Sequence, residues 1–124
     1  MNLKDIANFR LTSQQIINSE LKSSAKIAGW MGAMQSQDFN MAKWAIALRL
    51  ENVFQKDIEA AINSGEIIRT HVLRPTWHFV SSNDIYWMLD LTAPKIKASM
   101  KGRLKQLELT ESVLKKVIKP FRKF

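Results

Sequence analysis

The chain has no cysteine, four glycines, three prolines, two histidines and one tyrosine among its 124 residues. Without cysteine there is no disulfide framework, thiolate metal site or sulfur nucleophile, and the composition fits a reducing compartment. The few glycines are scattered, so no loop is built to cradle phosphate. No serine sits in the elbow motif that a Ser-His-Asp hydrolase needs. Metal ligation wants three or four convergent groups, and His71 and His78 supply the only imidazoles, so no metal or other cofactor is expected. No run approaches the ~18 apolar residues of a membrane span. The opening Met1-Asn2-Leu3-Lys4-Asp5 lacks the apolar stretch of a signal peptide. A soluble, cytoplasmic protein without a membrane partner is the expectation.

What is present suffices for a core: 46% of the residues are hydrophobic, which excludes a disordered chain, and the length suits one compact domain. The net charge of +8 is unevenly placed. Residues 1–94 hold nine Lys/Arg and nine Asp/Glu, whereas residues 95–124 hold ten Lys/Arg against Glu108 and Glu111. Such a basic tail suits a polyanion, with Lys101, Arg103 and Lys105 as candidate contacts to double-stranded DNA. The alternative is a solvated helix face.

The pattern predicts short helices followed by a hairpin. Thr12 or Ser13 would cap a helix over 14–17, and Ser23 or Ser24 one from Ala25 to about Met34. Met41, Trp44, Ala45 and Leu48 fall at i, i+3, i+4 and i+7 of a helix over 41–50. A fourth helix over 55–63 stops at Gly65. The period then shortens: 66–73 and 76–80 read as strands turned at Arg74-Pro75. Alternation puts Thr76, His78 and Val80 on one face, Trp77 and Phe79 on the other. Ser81-Ser82-Asn83-Asp84 offers a cap for a helix over 85–91, Pro94 favours a break or restart, and helices over 95–107 and 111–119 follow. The predicted fold is mainly α with a small β-hairpin, a winged helix-turn-helix over 1–92 followed by extra C-terminal helices over 93–124.

Between two of these helices lies a polar island, Gln35-Ser36-Gln37-Asp38. Two glutamines two residues apart point the same way on an extended backbone. Buried amides need partners, so the pair either fastens a loop to free backbone groups or faces a ligand. On the hairpin, Arg69 and Arg74 are candidate phosphate contacts or surface arginines paired with Glu66 or Asp84. His78 could meet a phosphate. Trp30, Trp44, Trp77 and Trp87 are expected to be core at three positions of the four, with Trp77 the candidate to wedge or stack against bases.

Taken in order, Arg10-Leu11…Gln14-Gln15, Gln35-Ser36-Gln37-Asp38, Ala42…Trp44-Ala45-Ile46-Ala47-Leu48-Arg49-Leu50, Gly65-Glu66-Ile67-Ile68-Arg69-Thr70, Leu73-Arg74-Pro75-Thr76-Trp77-His78-Phe79-Val80 and Asp84…Trp87 resemble the N-terminal part of the winged-helix DNA-binding proteins that include the AlkZ-like DNA glycosylases. The resemblance covers about residues 8–92. It implies tandem winged helices with a small β-rich domain, cradling duplex DNA on a concave face, in members roughly two to three times longer than this chain. The segment 93–124 would then open a second winged helix. A Gln-x-Gln or Gln-x-Asp motif carries catalysis in the glycosylase members, and Gln35 and Gln37 match it position for position, with Ser36 where an aliphatic or small residue is usual.

The implied chemistry is hydrolysis of an N-glycosidic bond to an alkylated base. A cationic base is already a good leaving group, so the site must mainly place a water near C1′ and face an oxocarbenium-like sugar. Amide carbonyls suit that task and cannot do demanding base chemistry. Two further readings differ in class: a non-catalytic DNA-binding module, and a fragment without autonomous activity whose exposed C-terminal helices pair as a homodimer.

Overall fold

A computed structural model of the chain describes residues 2–73 and 76–120. Arg74, the Arg74-Pro75 turn and the basic end from 121 onward lie outside the described residues. The described residues fall into two compact units that divide between Asp90 and Leu91. They are mainly helical with a small antiparallel sheet, a helix-rich arrangement consistent with a winged-helix-like fold.

The first helix, α1 (Leu3–Ser13), was expected to begin where it ends. Asn2 and Asp5 form a reciprocal capping box that starts the helix eleven residues early, and 14–17 is a turn with Gln15 left-handed at φ 57°. Helix α2 (Ser24–Met31) starts at the Ser23 cap, whose hydroxyl accepts from the Lys26 amide, and stops at Gly32, φ 72°. That stop comes three residues sooner than expected, and it frees Met34–Gln35 to form a strand, β1. Asp38 caps α3 (Phe39–Ala47) by accepting from the Met41 amide at 3.0 Å. Helix α4 (Gln55–Asn63) ends before Gly65, φ 80°, as its pattern predicts.

Strands β2 (Ile67–Thr70) and β3 (His78–Ser81) pair antiparallel, with Arg69 opposite Phe79 and Ile68 opposite Val80. The expected hairpin has a third member. Strand β1 adds to the other edge of β3, Met34 opposite Phe79 and Gln35 opposite His78, so the order is β1-β3-β2. Two residues are too few for a periodicity, which is why the strand escapes a reading by pattern.

Alternation along β3 feeds two cores. Phe79 joins Ile27, Ala28, Met34, Ala42, Ile46, Ile58, Ala61 and Ile67 on the side of α2–α4. Val80 joins Val72, Ile85 and Met88 on the other, against the start of α5 (Ile85–Gln106). All four residues of β3 are buried. The predicted stripe on α3 is displaced: Met41, Trp44 and Leu48 are exposed, and Ala42, Lys43 and Ile46 face inward. None of the four tryptophans is core, the least exposed being Trp77 at 37%. Pro94 lies inside α5 without ending it. After α5 comes α6 (Glu111–Ile118), capped by Thr110 as expected. Among the described residues, no helix is long and apolar enough to cross a membrane.

Lys43 reaches the core because it has a counter-charge. Its ammonium pairs with Glu59 on α4 and lies 4.4 Å from the Phe39 ring centroid. The hydrogen bond from Lys43, then that from Gln55, holds the Glu59 carboxyl below its ordinary value. A depressed carboxyl stabilises the fold above its unfolded-state pKa and stops doing so as pH falls through the depressed value. Thermal unfolding followed from about pH 6 to about pH 2 should therefore show a steeper acid loss in the wild type than in Glu59→Gln, which should already be less stable at neutral pH because Lys43 is left buried and unpaired. Phe79→Ala should cost about 3–5 kcal/mol in denaturant unfolding, since it opens a cavity in the larger core.

Candidate active site

The Gln35–Asp38 segment leaves β1 and enters the cap of α3. Burial alternates along it: Gln35 exposed, Ser36 fully buried, Gln37 and Asp38 exposed. Its backbone is held from two directions. On one side the Ser36 amide donates to the Trp77 carbonyl at 2.7 Å, and the Trp77 amide donates to the Gln37 side-chain oxygen at 3.3 Å. On the other, Arg69 donates to the Ser36 carbonyl through Nε (3.3 Å) and Nη2 (2.9 Å), and Nη2 also reaches the Gln37 carbonyl at 3.4 Å.

The two amides therefore differ. The Gln37 oxygen fastens the loop through one of its two lone pairs, the first of the two roles the sequence left open. The Gln35 side chain has no hydrogen bond among the described residues and faces solvent. Asp38 is occupied as a helix cap, a structural role that leaves one carboxylate oxygen for other partners.

Aromatic rings wall the segment. The Arg69 guanidinium carbon lies 4.7 Å from the Trp77 ring centroid and 5.3 Å from that of Phe39. His71 is 4.1 Å from Trp77, tilted at 43°, and Phe39 meets Phe79 edge-on at 5.8 Å. Phe39 was not singled out in the sequence, and His71 was weighed there only as a metal-ligating imidazole. The i, i+2 spacing of Arg69 and His71 beside a hairpin tryptophan was the signal available for His71. Phe39, the first residue after a capping aspartate, offered none.

The structure brings Gln35, Gln37, Arg69 and Trp77 together. His78, expected to meet a phosphate, is only 2% exposed on the central strand, so its place is inside the fold. Arg69 pairs with neither Glu66 nor Asp84; Asp84 instead accepts from the Trp87 indole at 2.8 Å. Lys101, Arg103 and Lys105 are exposed on α5 in the second unit, where Arg103 donates to Gln106 at 3.4 Å. Lys101 and Lys105 border a cleft of about 820 Å³ with Leu104, Leu109 and Leu114 between α5 and α6. The homodimer expected from exposed C-terminal helices rests on this apolar surface and gains no further support.

One more arginine was missed as a structural element. Arg49 is 9% exposed, with Nε donating to the Gln14 carbonyl at 2.9 Å and Nη1 to the Ala45 carbonyl. It closes the last turn of α3 onto the loop after α1, and burial lowers its pKa from the usual guanidinium value.

Helices around a small three-stranded antiparallel sheet, with Gln35 on an edge strand and Gln37 in the loop after it, are the class that fold and site define. The sequence matches the family described as DNA glycosylase AlkZ-like over residues 28–124, and the chain belongs to that family. No curated protein and no solved structure matches it. The match leaves out α1 and takes in α5 and α6, so the basic tail, outside the resemblance noted above, lies within the family segment.

Because Asp38 serves as a cap, Asp38→Asn should leave stability nearly unchanged while Asp38→Ala lowers it by about 1 kcal/mol, read from urea midpoints.

Proposed function

We propose that this chain acts on duplex DNA as a glycosylase that releases cationic alkylated bases, with Gln35 and Gln37 arranging the attacking water. The observation that carries this reading is the pair of exposed amides two residues apart, flanking a buried Ser36 whose backbone is held on both sides. In the reaction the C1′–N bond breaks, and its electron pair leaves with the base and neutralises its positive charge. Water oxygen then bonds to C1′ and its proton passes to solvent. Gln35, with an uncommitted carbonyl, is the principal group orienting that water. Gln37 keeps one lone pair for the same task while the other holds the Trp77 amide.

Neutral amides supply dipoles and no strong base, so the lesion must bring its own activation. N7-methylpurine should be released from methylated duplex, and unmodified purine should not. Gln35→Ala and Gln37→Ala should each slow single-turnover release about 100-fold, in the range for loss of one preorganised dipole. Absence of release by the wild-type chain would sink the enzymatic reading.

A non-catalytic DNA-binding module is the second reading, favoured by the exposed Lys97, Lys101, Arg103 and Lys105 on α5. Binding without release, with log affinity falling linearly against log salt, would support it. Undetectable binding at low salt would remove DNA as the partner in both readings.

A further inference from the structure

The bonds around Arg69 support one more step, which rests on the glycosylase reading of the same segment. We propose that Arg69 is the positioning residue of the Gln35–Gln37 pair rather than a contact to the DNA backbone.

Arg69 stands on β2 opposite Phe79, so its side chain shares a sheet face with the ring at the centre of the larger core. From there it spans to the segment after β1, a strand with which β2 does not pair. Its Nε and Nη2 converge on one carbonyl, that of Ser36, and Nη2 continues toward the next, that of Gln37. The rings of Phe39 and Trp77 both lie within stacking distance of the guanidinium carbon. A planar fork can satisfy a shared acceptor and lie against aromatic rings at once, which the point charge of a lysine cannot reproduce.

The consequence falls on the glutamines. Ser36 is gripped at its carbonyl by Arg69 and at its amide by the Trp77 carbonyl. Rotation about the Ser36 backbone is the motion that would swing Gln35 and Gln37 out of alignment. With both peptide groups of Ser36 held, the backbone that joins the two glutamines is restrained. A phosphate seeking Arg69 would have to displace the carbonyl bonds and the ring contacts that hold it.

Three measurements on the full chain test the proposal. In the wild-type protein, the Arg69 Nε–H should give a separate NMR resonance protected from solvent exchange. A resonance averaged with the exposed arginines would overturn the proposal without any variant. Arg69→Lys should speed hydrogen exchange at the Ser36 and Trp77 amides while the amides of α4 keep their protection; unchanged exchange at Ser36 and Trp77 would equally overturn it. On methylated duplex, Arg69→Lys should bind within about twofold of wild type yet release base about 100-fold more slowly at saturating enzyme, as expected for a small misplacement of reacting groups. Weaker binding with a wild-type rate at saturation would mark Arg69 as a DNA contact and reject the positioning role. If the wild-type chain releases no base, the glycosylase reading fails by itself, and the exchange measurements still decide whether Arg69 holds the segment.

Discussion

Strand β3 is enclosed on every side, and the rest of the first unit is arranged to enclose it. Its two edges pair with β1 and β2, and its two faces feed separate apolar clusters through Phe79 and Val80. A strand buried on both faces cannot slip by one residue without exchanging the contents of the two clusters. That constraint sets the register of both neighbours. It places Arg69 beside Phe79 and Gln35 beside His78, and so determines from which strand each component of the site is reached.

The order of dependence runs outward from there. Helices α2, α3 and α4 contribute Ile27, Ile46 and Ile58 to the face of Phe79, and each of these isoleucines is fully buried. The start of α3 is fixed by the Asp38 cap, so the chain between β1 and α3 is anchored by a strand at one end and a helix terminus at the other. Arg69 and Trp77 hold its middle. The exposed amides project from a backbone whose groups are largely committed, which is the condition for dipoles that act without reorganising.

Much of this was legible in the chain. The apolar spacing of α4, the caps at Ser23 and Thr110, the stop at Gly65 and the alternation of Val80 against Phe79 each follow from one local rule, and each holds. The failures have different causes. The stripe on α3 was assigned by helical spacing of apolar residues, and the helix instead turns Lys43 inward, where Glu59 on α4 receives its charge. Three of the four tryptophans were expected inside because tryptophan at helical spacing usually packs, yet isoleucine, alanine, methionine and phenylalanine fill the larger core and the indoles are exposed. Pro94 was read as a break, and the helix passes through it. In the candidate site, the spacing of Gln35 and Gln37 marked the segment, and only the family resemblance gave the pair a catalytic reading. That Arg69 turns toward a carbonyl rather than solvent depends on the third strand, which is too short to announce itself.

The run from β1 to the α3 cap also bears on chain length. Only Ser36 and Gln37 separate the strand from the capping Asp38. One added residue would reverse the inside–outside alternation downstream of it, and one removed residue would pull the cap away from the first turn of α3. Relatives that keep this architecture should thus vary in the identity of Ser36 long before they vary in the number of residues here. Insertions and deletions should collect instead in the stretch between α1 and α2, where the backbone already turns through left-handed Gln15 and Asn18.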